Sequence, residues 1–166
     1  MPDSSRQWVV GRAVLVLSAV LTILAFGVAT RQGSASLKAE AAHEQQVRDF
    51  IAAFNARDLD RMLGSVDEKI QWLSVEGAKV GVEAEGKAAL KASMESYFKS
   101  CPTCRSSLEW AQSAGSRVTA LERASWASKS GPLSQISLSV YEFSDRGIAR
   151  VYYFPAERDK QAARKQ

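Results

Sequence analysis

The chain has 166 residues, enough for one domain with its own core. Its formal net charge is +4, but residues 1–35 (Arg6, Arg12, Arg31 against Asp3) and the stretch from Glu157 onward each hold +2, so the body is neutral. A neutral body has no phosphate-tracking basic stripe, and this argues against a nucleic-acid binder.

Residues 13–29, AVLVLSAVLTILAFGVA, are apolar without periodicity. Arg6 and Arg12 precede them and the small residues Gly33 and Ala35 follow, the layout of a secretory signal cut after Ala35. The run is also just long enough to span a bilayer, so an uncleaved N-terminal anchor is the alternative. Either way the body is expected to be exported, as a periplasmic or secreted domain or one held to the membrane only through residues 13–29. The organisation is then a leader or anchor over 1–35, a folded domain over 36–156, and a basic tail over 157–166.

A helix is expected from about Leu37 to Ala56, because Val47, Phe50, Ile51 and Phe54 fall on one stripe. Asp58 is placed to cap a second helix over 59–65, whose Leu59, Met62, Leu63 and Val66 share a face. Two turns are too short to be stable alone, so that face must close over a larger apolar surface. Ile70 to Val75 reads as a strand, EGAKVGVEAEG as a hairpin or loop, and Lys87–Lys99 as a third helix with Leu90, Met94, Tyr97 and Phe98 on one side. Four strands follow, over 105–111, 117–128, 133–143 and 148–154, separated by QSAGS, KSGP and SDRG. The turn at Asp145-Arg146-Gly147 suits a three-residue hairpin. Helices first and a meander after give an α+β fold, with helices on one face of an antiparallel sheet.

Cys101 and Cys104, the only cysteines, follow a helix and precede a strand. In an exported chain they read as a local disulfide or as free thiols; a redox C-x-x-C opens a helix instead. His43 is the single histidine and sits in the polar lead of the first helix, where solvent is the expectation. With it there, no Ser/His/Asp arrangement arises, and neither a metal-ligand spacing nor a phosphate loop is visible, so no cofactor or metal is expected.

The stretches FIAAFNARDLDRML, GKAALKASMESYF and YEFSDRGIARVYYF, in this order, resemble the SnoaL-like proteins of the NTF2-like superfamily over residues 40–156. The resemblance implies a cone: three N-terminal helices packed on a curved antiparallel sheet, with the second helix closing the narrow end and a pocket at the mouth. It implies fold more than activity. Where steroid isomerases of this superfamily hold a tyrosine, a donor acid and a base, this chain has Phe50, Ser139, and Trp72 or Leu73, which argues against that reaction. By the same alignment Ser137, Ser139, Tyr141 and Phe143 face inward with Ala149, Val151 and Tyr153, while Ile136, Leu138, Val140, Ile148, Arg150 and Tyr152 face out. That apolar outer face suggests a homodimer through the sheet, as in relatives.

Glu122 sits mid-strand beside Leu121, Ala124 and Trp126, and is the candidate for a pocket carboxylate and the only catalytic candidate. The alternative is an outward Glu122 paired with Arg123 or Arg150. Tyr97, Tyr141 and Tyr153 are candidate donors to a ligand oxygen, or core residues with a wet hydroxyl. Trp72, Trp110 and Trp126 read as packing. The candidate ligand-binding set is Trp72, Tyr97, Glu122, Ser139, Tyr141 and Tyr153. Two functions compete: a pocket that binds or slowly transforms a small apolar molecule, and a membrane-tethered interaction domain working through its sheet face.

Overall fold

The computed structural model describes residues 34–159; residues 1–33, with the apolar stretch 13–29, and most of the basic tail lie outside the described residues. No described helix is long and apolar enough to cross a membrane. Residues from Glu40 onward form one compact unit.

Helix α1 covers 34–56 and buries Val47, Phe50, Ile51 and Ala53. It stops at Arg57, which takes a left-handed φ of 62°. The Arg57 N–H then bonds the Phe54 carbonyl at 3.1 Å and the Asp58 N–H bonds the Ala53 carbonyl at 3.0 Å, the two bonds of a Schellman stop. Glycine usually fills that position, and arginine holds it because its guanidinium is anchored elsewhere, as described below. Asp58 serves twice, since its side chain also accepts the Arg61 N–H at 3.0 Å and caps α2 (Leu59–Gly64). The short helix survives by burying Met62 in the core, with Leu59 and Leu63 packed against it.

Strand β1 (Val66–Glu76) turns back into β2 (Lys79–Glu85), and α3 (Gly86–Ser100) follows, burying Leu90 and Met94. The meander is β3 (Arg105–Ala114), β4 (Arg117–Ser128), β5 (Gly131–Ser144) and β6 (Gly147–Tyr153). The sheet runs β2-β1-β6-β5-β4-β3, so it stays open with β2 and β3 as its edges. All pairs are antiparallel except β1 with β6, which are parallel, and the sheet is therefore mixed. Glu157 and Arg158, expected in the tail, instead form β7 and pair with Ile136 and Gln135 of β5. The core lies between the inner sheet face and the helices, with Tyr141, Phe50, Met62, Ile70 and Leu90 as its largest fully buried side chains.

Three local expectations are corrected. The β5–β6 connection is a tight turn pairing Ser144 with Gly147, not a three-residue hairpin. A bulge at Ala149 then restores the expected register, with Tyr141 opposite Val151 and Ser139 opposite Tyr153. Because of the bulge, Ile148 turns inward and is fully buried. Trp110 lies next to a second bulge on edge strand β3 and is 45% exposed, so it is not core packing. His43 is half-buried, stacked on Phe143 at 4.2 Å between ring centroids, with Nδ1 3.2 Å from the Gly115 carbonyl. Its stripe position on α1 faces the sheet, not solvent.

Cys101 and Cys104 form a disulfide that closes the turn between α3 and β3. Arg57 reaches over this turn. Its Nη2 donates to the carbonyls of Cys104 (2.7 Å), Pro102 (3.1 Å) and Cys101 (3.3 Å), and its guanidinium lies 4.3 Å from the Phe98 ring centroid. Burial and the nearby Arg105 lower the Arg57 pKa. A second tie joins Asn55 to β3: its side chain donates to the Ser106 carbonyl at 2.7 Å and accepts the Ser106 N–H at 2.9 Å. Asn55 thus acts as a one-residue strand on the edge of β3, whose far end is tied in the same way where Glu44 accepts the Ser113 N–H at 2.9 Å.

Candidate functional site

Between α1, α3 and the inner sheet face lies a cavity of about 420 Å³. Its mouth carries Glu83, Tyr97, Arg105 and Gln135, and its deep end is built on β4. Val118, Ala120 and Glu122 alternate inward on that strand, and all three are buried. The carboxylate therefore belongs to the core face, and the outward alternative does not occur. Arg123 pairs with Glu109 and Asp159, and Arg150 pairs with Glu142.

Glu122 is held by hydroxyls. Oε1 accepts from Ser139 at 2.5 Å, from Tyr141 at 2.6 Å and from Tyr153 at 3.0 Å. Oε2 accepts from Tyr153 at 2.9 Å and from Ser106 at 3.2 Å. The two tyrosine oxygens are 3.3 Å apart. Burial first, and then the Glu122 charge, push the Tyr141 and Tyr153 pKa values well above the usual tyrosine value. Both phenols keep their protons and remain donors. Burial also raises the Tyr97 pKa.

The six candidate binding residues divide in two. Trp72, Tyr97, Glu122 and Tyr153 line the cavity. Trp72 stacks on Tyr153 with ring centroids 5.1 Å apart. Ser139 and Tyr141 are fully buried behind the lining, where both donate to Glu122 and Tyr141 also meets the Tyr153 hydroxyl. Sequence reasoning did not single out Ser106, because its place opposite Ala124 depends on the β3–β4 register. Phe50, Ile51 and Phe54 also line the hollow, and their helical stripe was the available signal. Among the described residues, no group of three or more His, Cys, Asp or Glu side chains could hold a metal.

The sequence profile of the SnoaL-like domain matches residues 47–151. The chain belongs to the SnoaL-like family. No curated protein matches it by sequence. Solved structures share the NTF2-like architecture of this SnoaL-like domain. One is an uncharacterised cystatin-fold protein from Novosphingobium aromaticivorans, with 20% identity over 67% of this chain and 96% of that one, and a TM-score of 0.57. A second is TerC co-crystallised with polyporic acid, with 17% identity over 74% and 95% of the two chains and a TM-score of 0.58. A third is a proposed polyketide cyclase from Xanthomonas campestris pv. campestris, with 18% identity over 76% and 97% and a TM-score of 0.53. At these identities the likeness is one of fold.

Proposed function

We propose that this SnoaL-like domain binds a small, largely apolar molecule inside its cone, with Glu122 as the polar anchor. The observation that carries this is a hollow of about 420 Å³ ending on a buried carboxylate. Ligand pockets generally run from about 300 to 1,000 Å³ and pair apolar walls with a few convergent polar groups. TerC, of similar fold, was crystallised with polyporic acid, which fits a cone of this kind holding a small molecule. An anchoring role suits Glu122 better than proton abstraction. Both oxygens already take hydroxyl hydrogens, so an incoming proton must displace a donor. At the positions of the steroid-isomerase roles, Phe50 presents hydrocarbon to the cavity, Trp72 presents indole, and the Ser139 hydroxyl is spent on Glu122.

Filling the hollow tests the reading. Ala124 faces the cavity two residues beyond Glu122. Ala124→Trp is expected to weaken binding of the neutral fluorescent probe N-phenyl-1-naphthylamine at least about tenfold while the melting temperature holds, because the added ring occupies the apolar volume. Unchanged affinity in a folded variant means the probe, and by extension the ligand, sits elsewhere.

The Cys101–Cys104 bond favours placing this role in an oxidising compartment, as the leader-like N-terminus suggests. N-terminal sequencing of the mature protein is expected to start near Ser36. A start at Met1 would keep the anchor and favour the tethered alternative.

A further inference from the structure

We propose that the molecule held in this cavity is an organic cation, with an apolar body and a protonated amine directed at Glu122. This rests on the binding reading above and specifies the chemistry of the ligand's polar end.

The hydrogens around Glu122 can be counted. A hydroxyl has one hydrogen to donate and a carboxylate has none. Ser106, Ser139, Tyr141 and Tyr153 all stand within hydrogen-bond distance of Glu122, so their four hydrogens point at its oxygens. Ser137, also on the cavity wall, gives its hydrogen to the Phe154 carbonyl at 2.6 Å. What this polar end still offers a ligand is the free lone pairs of the Ser106 and Tyr153 hydroxyl oxygens, which line the cavity beside the filled carboxylate, so an ammonium feels the Glu122 charge without displacing a donor. A ligand carbonyl or carboxylate would find acceptors facing it, whereas an ammonium brings three donors.

The charge of the wall favours a cation as well. The partners of Glu122 are neutral hydroxyls, although a buried carboxylate ordinarily has a cationic partner. Among the described residues, Arg105 is the only cationic side chain on the cavity wall. It is exposed and donates to the Cys104 carbonyl at 2.8 Å, and Glu83 is a second exposed charge on the wall. Counting Glu83 and Glu122 against Arg105, the wall carries one formal negative charge, and its buried part is the carboxylate. A charge-assisted bond from an amine is about twice as strong as a neutral one.

The wall is also rich in aromatic rings. Phe50, Trp72 and Tyr153 follow one another at 6.0 and 5.1 Å between centroids, and Phe54 and Tyr97 sit 5.8 Å apart nearer the mouth. Aromatic faces attract cations by about 0.5 to 2 kcal/mol, more when desolvated. The same rings serve a neutral ligand only through apolar contact.

The test uses the full chain and three probes with one naphthalene body: 1-naphthylmethylamine, 1-naphthylmethanol and 1-naphthoate, titrated by calorimetry at neutral pH. The amine is expected to bind at least tenfold tighter than the alcohol, with no detectable binding of the naphthoate. Glu122→Gln is expected to bring the amine down to the alcohol. Because that variant can lose its fold, the wild-type comparison decides on its own. If the alcohol or the naphthoate binds as tightly as the amine, the cation assignment is overturned and the pocket reading survives. If none of the three binds, the pocket reading fails and the assignment falls with it.

Discussion

Gly147→Ala is expected to lower unfolding stability by about 3 kcal/mol, the sum of backbone strain and an unavoidable contact. Gly147 has a φ of 113°, a region essentially closed to side-chain-bearing residues. A methyl group added there would stand 2.5 Å from the Ser65 carbonyl oxygen. That carbonyl cannot step aside. It accepts the Ile148 N–H at 3.1 Å and the Gln46 side chain at 2.9 Å, and so ties α1, the end of α2 and the start of β6 to one atom. Gly115 is the control, with a φ of 60° and nothing within 4 Å of an added Cβ. Gly115→Ala is expected to cost only about 1 kcal/mol, from backbone conformation alone. Denaturant unfolding of both variants gives the comparison. Equal losses would mean that the Ser65 contact yields freely.

Glu122→Leu is expected to cost a similar amount, about 3 kcal/mol, and to remove any preference for a charged ligand. Leucine fills much of the same volume, so packing is not the main loss. The loss comes from what stays behind, because Ser139 and Tyr141 are fully buried and have their hydroxyls aimed at the missing acceptor. Each stranded donor costs about 1–3 kcal/mol before relaxation. The double change Glu122→Leu with Tyr141→Phe should therefore recover part of the loss, since donor and acceptor leave together. Chemical denaturation of the single and double variants measures this coupling. A single variant as stable as the wild type would show that the hydroxyls do not depend on the carboxylate.

The fold was legible wherever burial follows a simple period. The α1 stripe, the Met62 face of α2 and the alternation along β5 all repeat at the spacing of their element, and the structure keeps them. What did not show was set by neighbours remote in the chain. A left-handed arginine at the end of α1 makes sense only once the disulfide turn supplies three carbonyls to its guanidinium. The bulge at Ala149 breaks a two-residue period with a residue that nothing local marks. The site was half legible for the same reason. Glu122 was conspicuous as a charge among apolar neighbours, yet Val118 and Ala120 on one face and Leu121 on the other left its direction open. Ser106 became visible only through strand pairing, and the roles of Ser139 and Tyr141 only through their bonds to the carboxylate.

The parallel pairing of β1 with β6 has a kinetic consequence. Val66 meets Ile148 and Ser74 meets Tyr153, so strands from opposite ends of the folded region must find each other before the sheet is continuous. Closing loops of that length is slow, and the β3–β6 meander has only local hairpins to close. The meander is therefore expected to assemble early, leaving the β1–β2 ribbon to dock last. Until it does, the edge of β6 stands open to any other extended segment, which makes late docking the moment of greatest exposure to misassembly.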